Sequence, residues 1–320
     1  MSGEGLIRYE RGRNWCRAQQ WSLLFPKGKS CSVQNSRRFH HAILTMALTR
    51  KQRLSSALLV WVTLLSLACT EKSMVPTEIS LKLLSEEQLR KVAAETVLFG
   101  HRSVGDNIVQ GLRDLAASDS RFKLRIIHST DFTSVSGPAL IEFYVGVNGH
   151  PELKDEGFAA ALDRPVGTEV GVAMYKYCFV DINASTDVEQ LFEHYRRTVS
   201  ALKAKHRFLT FVHITVPLTT AEPTVKARIE SVLGRHTARD DDAKRNQFND
   251  LLRQTYGGTD PIFDLAEVES THLDGSRSYF MQGEEKIYTL APEYTMDGGH
   301  LNQLGRRVAA ARLVYVLAKL

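Results

Sequence analysis

The chain has 320 residues, 43% apolar and 24% charged, with 9 Pro and 21 Gly. That composition excludes a disordered, collagen-like or polytopic membrane protein, and the length suffices for one large domain with a full core. The formal charge of +5 is unevenly held, since residues 1–68 carry 11 Lys/Arg against 2 Asp/Glu, which leaves the body mildly acidic and gives no ground for nucleic-acid binding.

In chain order, residues 1–45 are basic and without periodicity, and are expected to be a non-native or disordered extension, with translation starting at Met46. Residues 46–68 have the layout of a secretory signal: Arg50, Lys51 and Arg53 precede an apolar run, Leu54–Cys69, that is short and interrupted by Ser and Thr for a spanning helix. The run ends in Leu65-Ser66-Leu67-Ala68-Cys69, which resembles a bacterial lipobox. The resemblance implies a lipid on Cys69, a tether over 69–84, and an exported, membrane-anchored lipoprotein in the cell envelope; an ordinary cleaved signal and an uncleaved anchor are the alternatives. Thr70, where an Asp would accompany inner-membrane retention, points to the outer membrane or periplasmic face. Cys16 and Cys31 lie in the extension, so Cys178 stands alone in the body, without a disulfide partner and within an apolar run that reads as buried.

The body, 85–320, alternates strands and helices. Ser85-Glu86-Glu87 opens a helix. Thr96–Phe99 reads as a strand closed by Gly100, and Val104, Ile108, Leu112 and Leu115 recur at helical spacing over 104–117. Leu124–Ile127 reads as a strand, and residues 131–168, rich in Gly, Pro and Asp, as long loops with short elements. A buried strand follows within Val170–Ile182, then an amphipathic helix over Asp187–Lys205 and a strand over Phe208–Val216. Thr224–Leu233 is expected as a short helix, Arg239–Asp242 as a charged break, Ala243–Tyr256 as a helix, Pro261–Leu265 as a strand and Leu301–Leu320 as the closing helix. Such alternation predicts an α/β fold with a parallel sheet and helices on both faces, with ligands at the carboxyl ends of the strands.

Two segments carry candidate chemistry. In Gly100-His101-Arg102-Ser103-Val104-Gly105, Ser103 stands where a strand turns into a helix. It reads either as a helix cap or as a nucleophile whose own N–H helps hold an oxyanion. In Asp297-Gly298-Gly299-His300, three residues of turn can set a carboxylate against the imidazole; the alternative is a capping Asp and a surface His.

Taken together, serine, aspartate and histidine in that order resemble the SGNH (GDSL-type) hydrolase superfamily over roughly residues 95–320. The stronger half of the resemblance is Asp297-Gly298-Gly299-His300-Leu301-Asn302 with Gly305 beyond. It implies a three-layer α/β/α sandwich, Ser103 as nucleophile, His300 as general base and then acid, Asp297 as the orienting carboxylate, and no cofactor. The expected partner is a small-molecule, lipid or glycan ester. The chain departs from the family's Gly-Asp-Ser block, reading Gly100-His101-Arg102-Ser103, and has no Gly-x-Asn-Asp. Gly146-Val147-Asn148 supplies the preferred oxyanion pair, Gly146 and Asn148, beside the Ser103 N–H; Asn183 stays open as the alternative. His101, Asn183 and His213 are candidate substrate contacts, although His213 within a core strand also reads as a plain core residue. Lys176 and Asp181 read as a structural ion pair, with lining of the site as the alternative, and Asn246 and Asn249 as solvated helix residues. Two other functions stay in view: a catalytically degenerate envelope- or glycan-binding lipoprotein, and a metal-dependent site built on His101, Asp297 and His300.

Overall fold

The computed structural model describes residues 81–165, 169–221 and 237–320. The extension, the signal segment, Cys69, most of the tether and the helix expected over Thr224–Leu233 lie outside the described residues.

The first helix, α1 (Glu86–Ala94), opens with a capping box in which Ser85 and Gln88 satisfy each other's backbone N–H groups. The strand β1 (Val97–His101) is buried at all five positions. It takes β3 (Leu140–Tyr144) on one side and β4 (Val172–Tyr175) on the other, both parallel, with Val97 opposite Leu140 and Val172. Outside them lie β2 (Ile126–His128) and β5 (Thr210–Phe211), giving the order β2-β3-β1-β4-β5. Only Val212 separates β5 from β6 (His213–Ile214), which pairs in parallel with β7 (Ile262–Phe263) in a second, two-stranded sheet. The chain leaves β1 for one edge and later crosses back to β4. That reversal falls beside β1, and the carboxyl end of a strand at such a switch is the usual ligand position in an open α/β sheet.

Alternation along the strands divides the interior. Val97, Phe99, Val172 and Met174 join one core with α1, α2 (Val104–Ser118), α6 (Leu265–Ser270) and α7 (Gln303–Leu317). Leu98, Ala173, Tyr175 and Phe211 join a second with α3 (Pro151–Leu162), α4 (Val188–Lys205) and α5 (Ala238–Tyr256). The architecture is a three-layer α/β/α sandwich, as expected. No helix among the described residues is long and apolar enough to cross a membrane.

Some expectations are corrected. The described residues of 131–165 are not mainly loop: they hold β3 and the 12-residue helix α3, started by Pro151 at its first turn. The charged break belongs to α5, because Thr237 and Asp240 form a capping box and the acids of the first turn suit the helix dipole. Asn246 and Asn249 are buried and bridge backbone: Asn249 takes the Val216 N–H at 2.7 Å and donates to the Val216 carbonyl at 2.9 Å, and Asn246 does the same for Tyr288. An unexpected antiparallel hairpin, β8 (Tyr279–Gln282) and β9 (Glu285–Tyr288), precedes the last loop.

The segment after β6 is held by buried acids. Leu218 N–H donates to Glu269 Oε2 at 2.7 Å, and Thr219 N–H to Asp242 Oδ1 at 3.1 Å. The next residue, Thr220, donates its N–H to the Gly298 carbonyl at 2.9 Å, so these acids support the 297–300 turn from below. Burial pushes the Glu269 carboxyl up to about 8. Its folded state therefore binds a proton that the unfolded chain has lost, and stability falls as pH rises from the ordinary carboxyl range through about 8. Glu269→Gln, which keeps an acceptor for Leu218, is expected to melt like the wild type at pH 5 and several degrees higher at pH 9. Equal melting temperatures at both pH values would contradict this.

Candidate active site

The site starts at the end of β1. Gly105 follows so closely that a Cβ there would strike the His101 ring, which fixes a tight strand-to-helix turn. Ser103 lies in this turn with φ +59° and ψ −113°, and it is the only non-glycine residue with positive φ among the described residues. It occupies the N-cap position of α2, yet its side chain makes no capping hydrogen bond. Its Oγ lies 2.7 Å from His300 Nε2 instead.

The protonation pattern follows from the partners. A carboxylate only accepts, so the His300 Nδ1–H donates to Asp297 Oδ2 at 2.7 Å. In the neutral ring that leaves Nε2 bare, and Ser103 O–H donates to it. Asp297 Oδ1 accepts the backbone N–H groups of His300 at 2.8 Å and Gly299 at 3.0 Å. These two hold the Asp297 carboxyl well below the usual carboxylate range. Gly298, at φ +87°, makes the turn possible, and a Cβ on Gly299 would come 2.9 Å from the Phe179 ring. Phe179 in turn meets the His300 imidazole edge-on at 5.5 Å. The histidine and aspartate side chains remain 46% and 58% exposed, so the site opens directly to solvent.

A seam between α2 and α7 keeps the two halves in register. Asn107 Oδ1 accepts the Leu301 N–H at 3.0 Å, and Arg306 Nε donates to Asp114 Oδ2 at 2.8 Å. Between these rungs Gly111 lets the helices touch, since a Cβ there would collide with the Arg306 carbonyl.

Beside Ser103, Arg102 Nε donates to the carbonyls of Gly146 at 2.8 Å and Val145 at 3.2 Å. This hooks the 145–149 loop, with Gly146 and the exposed Asn148, onto the serine turn. Gly146 has φ +53°, and its backbone passes against Leu153 and Lys154 at the start of α3. The Ser103 N–H belongs to the open N-terminus of α2, where backbone donors have no intrahelical partner.

Other expected residues lie elsewhere. His101 is not a substrate contact: it is fully buried and its Nε2 lies 3.1 Å from Glu142 Oε2. Burial alone would raise the Glu142 carboxyl, but hydrogen bonds from His101 and His128 hold it down to about 2. With His101 committed there, the metal reading loses a ligand, and no group of three or more His, Cys, Asp or Glu among the described residues is placed to hold a metal. His213 is also no substrate contact. It is buried, stacked on Tyr256 at 3.6 Å and bonded through Nδ1 to the Tyr195 hydroxyl at 2.8 Å, and burial lowers it to about 4. Asn183 turns back on its own loop, its Oδ1 accepting the Ser185 N–H at 2.9 Å. Lys176 and Asp181 do not pair with each other: Lys176 donates to the Tyr177 carbonyl at 3.0 Å, while Asp181 pairs with Lys154. Cys178 is buried, as expected.

No family model matches the chain, and no curated protein matches it. Solved structures with some likeness include one described as a platelet activating factor from Streptococcus pneumonia, 14% identical over 74% of this chain and 94% of that one, with a TM-score of 0.42. Another is a lipolytic protein of the G-D-S-L family from Desulfitobacterium hafniense DCB-2, 9% identical over 70% and 99%, TM-score 0.36. A third is an acetyl xylan esterase, 12% identical over 68% and 97%, TM-score 0.39. At these scores the likenesses carry no weight for activity.

Proposed function

We propose that the chain is a serine-dependent hydrolase of ester bonds, of the SGNH type, that works through an acyl-enzyme. The observation that carries this reading is the contact of Ser103 Oγ with His300 Nε2 at 2.7 Å, made by a serine that forgoes its cap and sits in strained backbone. As Ser103 Oγ bonds to the ester carbonyl carbon, His300 Nε2 takes its proton, and Asp297 stabilises the imidazolium that forms. The carbonyl oxygen, now an oxyanion, is held by the Ser103 N–H and the amide of Asn148, with Gly146 shaping that loop. Collapse breaks the bond to the alkoxide, which leaves with the proton from His300. Water then gives a proton to His300 and attacks the acyl-serine, releasing the acid and restoring Ser103.

The experiment is labelling of residues 70–320 with a fluorophosphonate probe, with the adduct mapped by peptide mass. An adduct on the peptide holding Ser103 is expected. No adduct, with no hydrolysis of p-nitrophenyl acetate, would overturn the reading in favour of a binding module.

The setting belongs to the same proposal: an exported protein tethered to the cell envelope through lipid on Cys69, with a lipid or glycan ester as substrate. The native protein is expected to have an intact mass that begins at a lipid-bearing Cys69. A mass that includes residues 1–45 would refute it.

A further inference from the structure

We propose that Lys154 is the positioning residue of the oxyanion hole. Paired with Asp181 inside the protein, it grips Asn148 by the oxygen and leaves the amide N–H groups as the face offered to a reacting carbonyl. This rests on the hydrolase reading above, with Asn148 as an oxyanion donor.

The orientation of Asn148 follows from donor chemistry. A lysine ammonium has no acceptor, so the Asn148 atom 3.0 Å from Lys154 Nζ is the amide oxygen, and the N–H2 group faces the other way. Without such a partner, an exposed asparagine is free to turn either end outward.

The grip is built into the interior. The Lys154 and Asp181 side chains are both fully buried and ion-paired. Asp181 also accepts the Gly149 N–H at 2.7 Å and the Cys178 N–H at 2.6 Å. One ion pair thus fixes the Asn148 loop twice, through the Asn148 side chain and the Gly149 backbone. The same carboxylate anchors Cys178, whose thiol donates to the Arg102 carbonyl at 3.4 Å, next to Ser103. Arg102 Nε closes the ring on the Gly146 carbonyl at 2.8 Å. The nucleophile's turn and the loop of Asn148 are therefore parts of one frame.

Stability alone is a weak reason for the arrangement. Lys154 stands in the first turn of α3, where the helix dipole disfavours a cation. A buried ion pair is in general no better for folding than apolar side chains of similar size.

The test is a mutant cycle with Lys154→Met, Asn148→Ala and the double variant, reading kcat, KM and melting temperature on p-nitrophenyl acetate. Each single variant is expected to lose on the order of 10²-fold in kcat, the scale of one oxyanion donor, with KM within about threefold. In the Asn148→Ala background, Lys154→Met is expected to cost less than about twofold more, because the group it positions is already gone. Wild-type kcat in Lys154→Met, or losses that multiply in the double variant, would overturn the proposal. If Lys154→Met does not fold, Lys154→Met with Asp181→Asn, which leaves no unpaired buried charge, carries the same cycle. If Ser103→Ala keeps the wild-type rate, the hydrolase reading has failed and this proposal falls with it. If Ser103 and Asn148 both matter and Lys154 does not, this proposal alone has failed.

Discussion

Ser103→Gly is expected to abolish ester hydrolysis and to make the protein more stable than Ser103→Ala. Either change removes the hydroxyl that His300 deprotonates in the proposed mechanism, and the loss in kcat should be on the order of 10⁴–10⁶-fold, the scale for losing a nucleophile from a triad. The stability difference comes from the backbone. At φ +59° and ψ −113° a Cβ is crowded, and alanine keeps that Cβ while glycine does not. Glycine should gain about 1 kcal/mol over alanine in urea unfolding, after its own entropic cost in the unfolded chain. Activity surviving in either variant would end the acyl-enzyme mechanism. Equal stability of the two would show that the turn bears no strain at this residue.

Asp297→Asn is expected to cost on the order of 10⁴-fold in kcat with little loss of stability. Asparagine can still accept the Gly299 and His300 backbone N–H groups through its oxygen, so the turn survives. Its N–H2 then faces His300 Nδ1, which must become an acceptor. The ring proton moves to Nε2, the atom that should receive the serine proton, and the base is blocked. Since the wild-type carboxyl is held well below its usual range by backbone donors, Asp297 stays ionised across the neutral range. A pH–rate profile of the wild type should therefore show no limb that belongs to Asp297. An Asp297→Asn variant within tenfold of wild type would remove the aspartate from the mechanism.

Much of this was legible in the sequence, and the reasons differ between segments. Val104, Ile108, Leu112 and Leu115 announced α2 because one face of it is wholly buried. The serine and the Asp-x-x-His turn were legible because each depends on local geometry at an element boundary. The β3–α3 stretch was not, because Gly146, Gly149 and Pro151 mark turns, and turn residues dominate a local reading even when they only bracket a strand and a helix. Asn246 and Asn249 were misread because nothing in a helix repeat distinguishes an amide that bridges backbone from one that meets water. His101 was misplaced for want of Glu142, 41 positions away, which no spacing rule connects to it. Lys154 was invisible for the same reason: its value lies in Asp181, 27 positions on, and a buried lysine reads as a surface one until its partner is seen.

In the proposed mechanism the seam between α2 and α7 also sets when the chain can become active. Ser103 and His300 stand 197 positions apart, and the rungs that align them, Leu301 on Asn107 and Arg306 on Asp114, join residues nearly as distant. Contacts of such long range close late, because the loop entropy they must overcome is large. On the ribosome the serine would emerge early and stay inert until the closing helix is synthesised and docks. Recovery of turnover after dilution from denaturant should then lag behind recovery of secondary structure, and would serve as a clock for the final step of assembly.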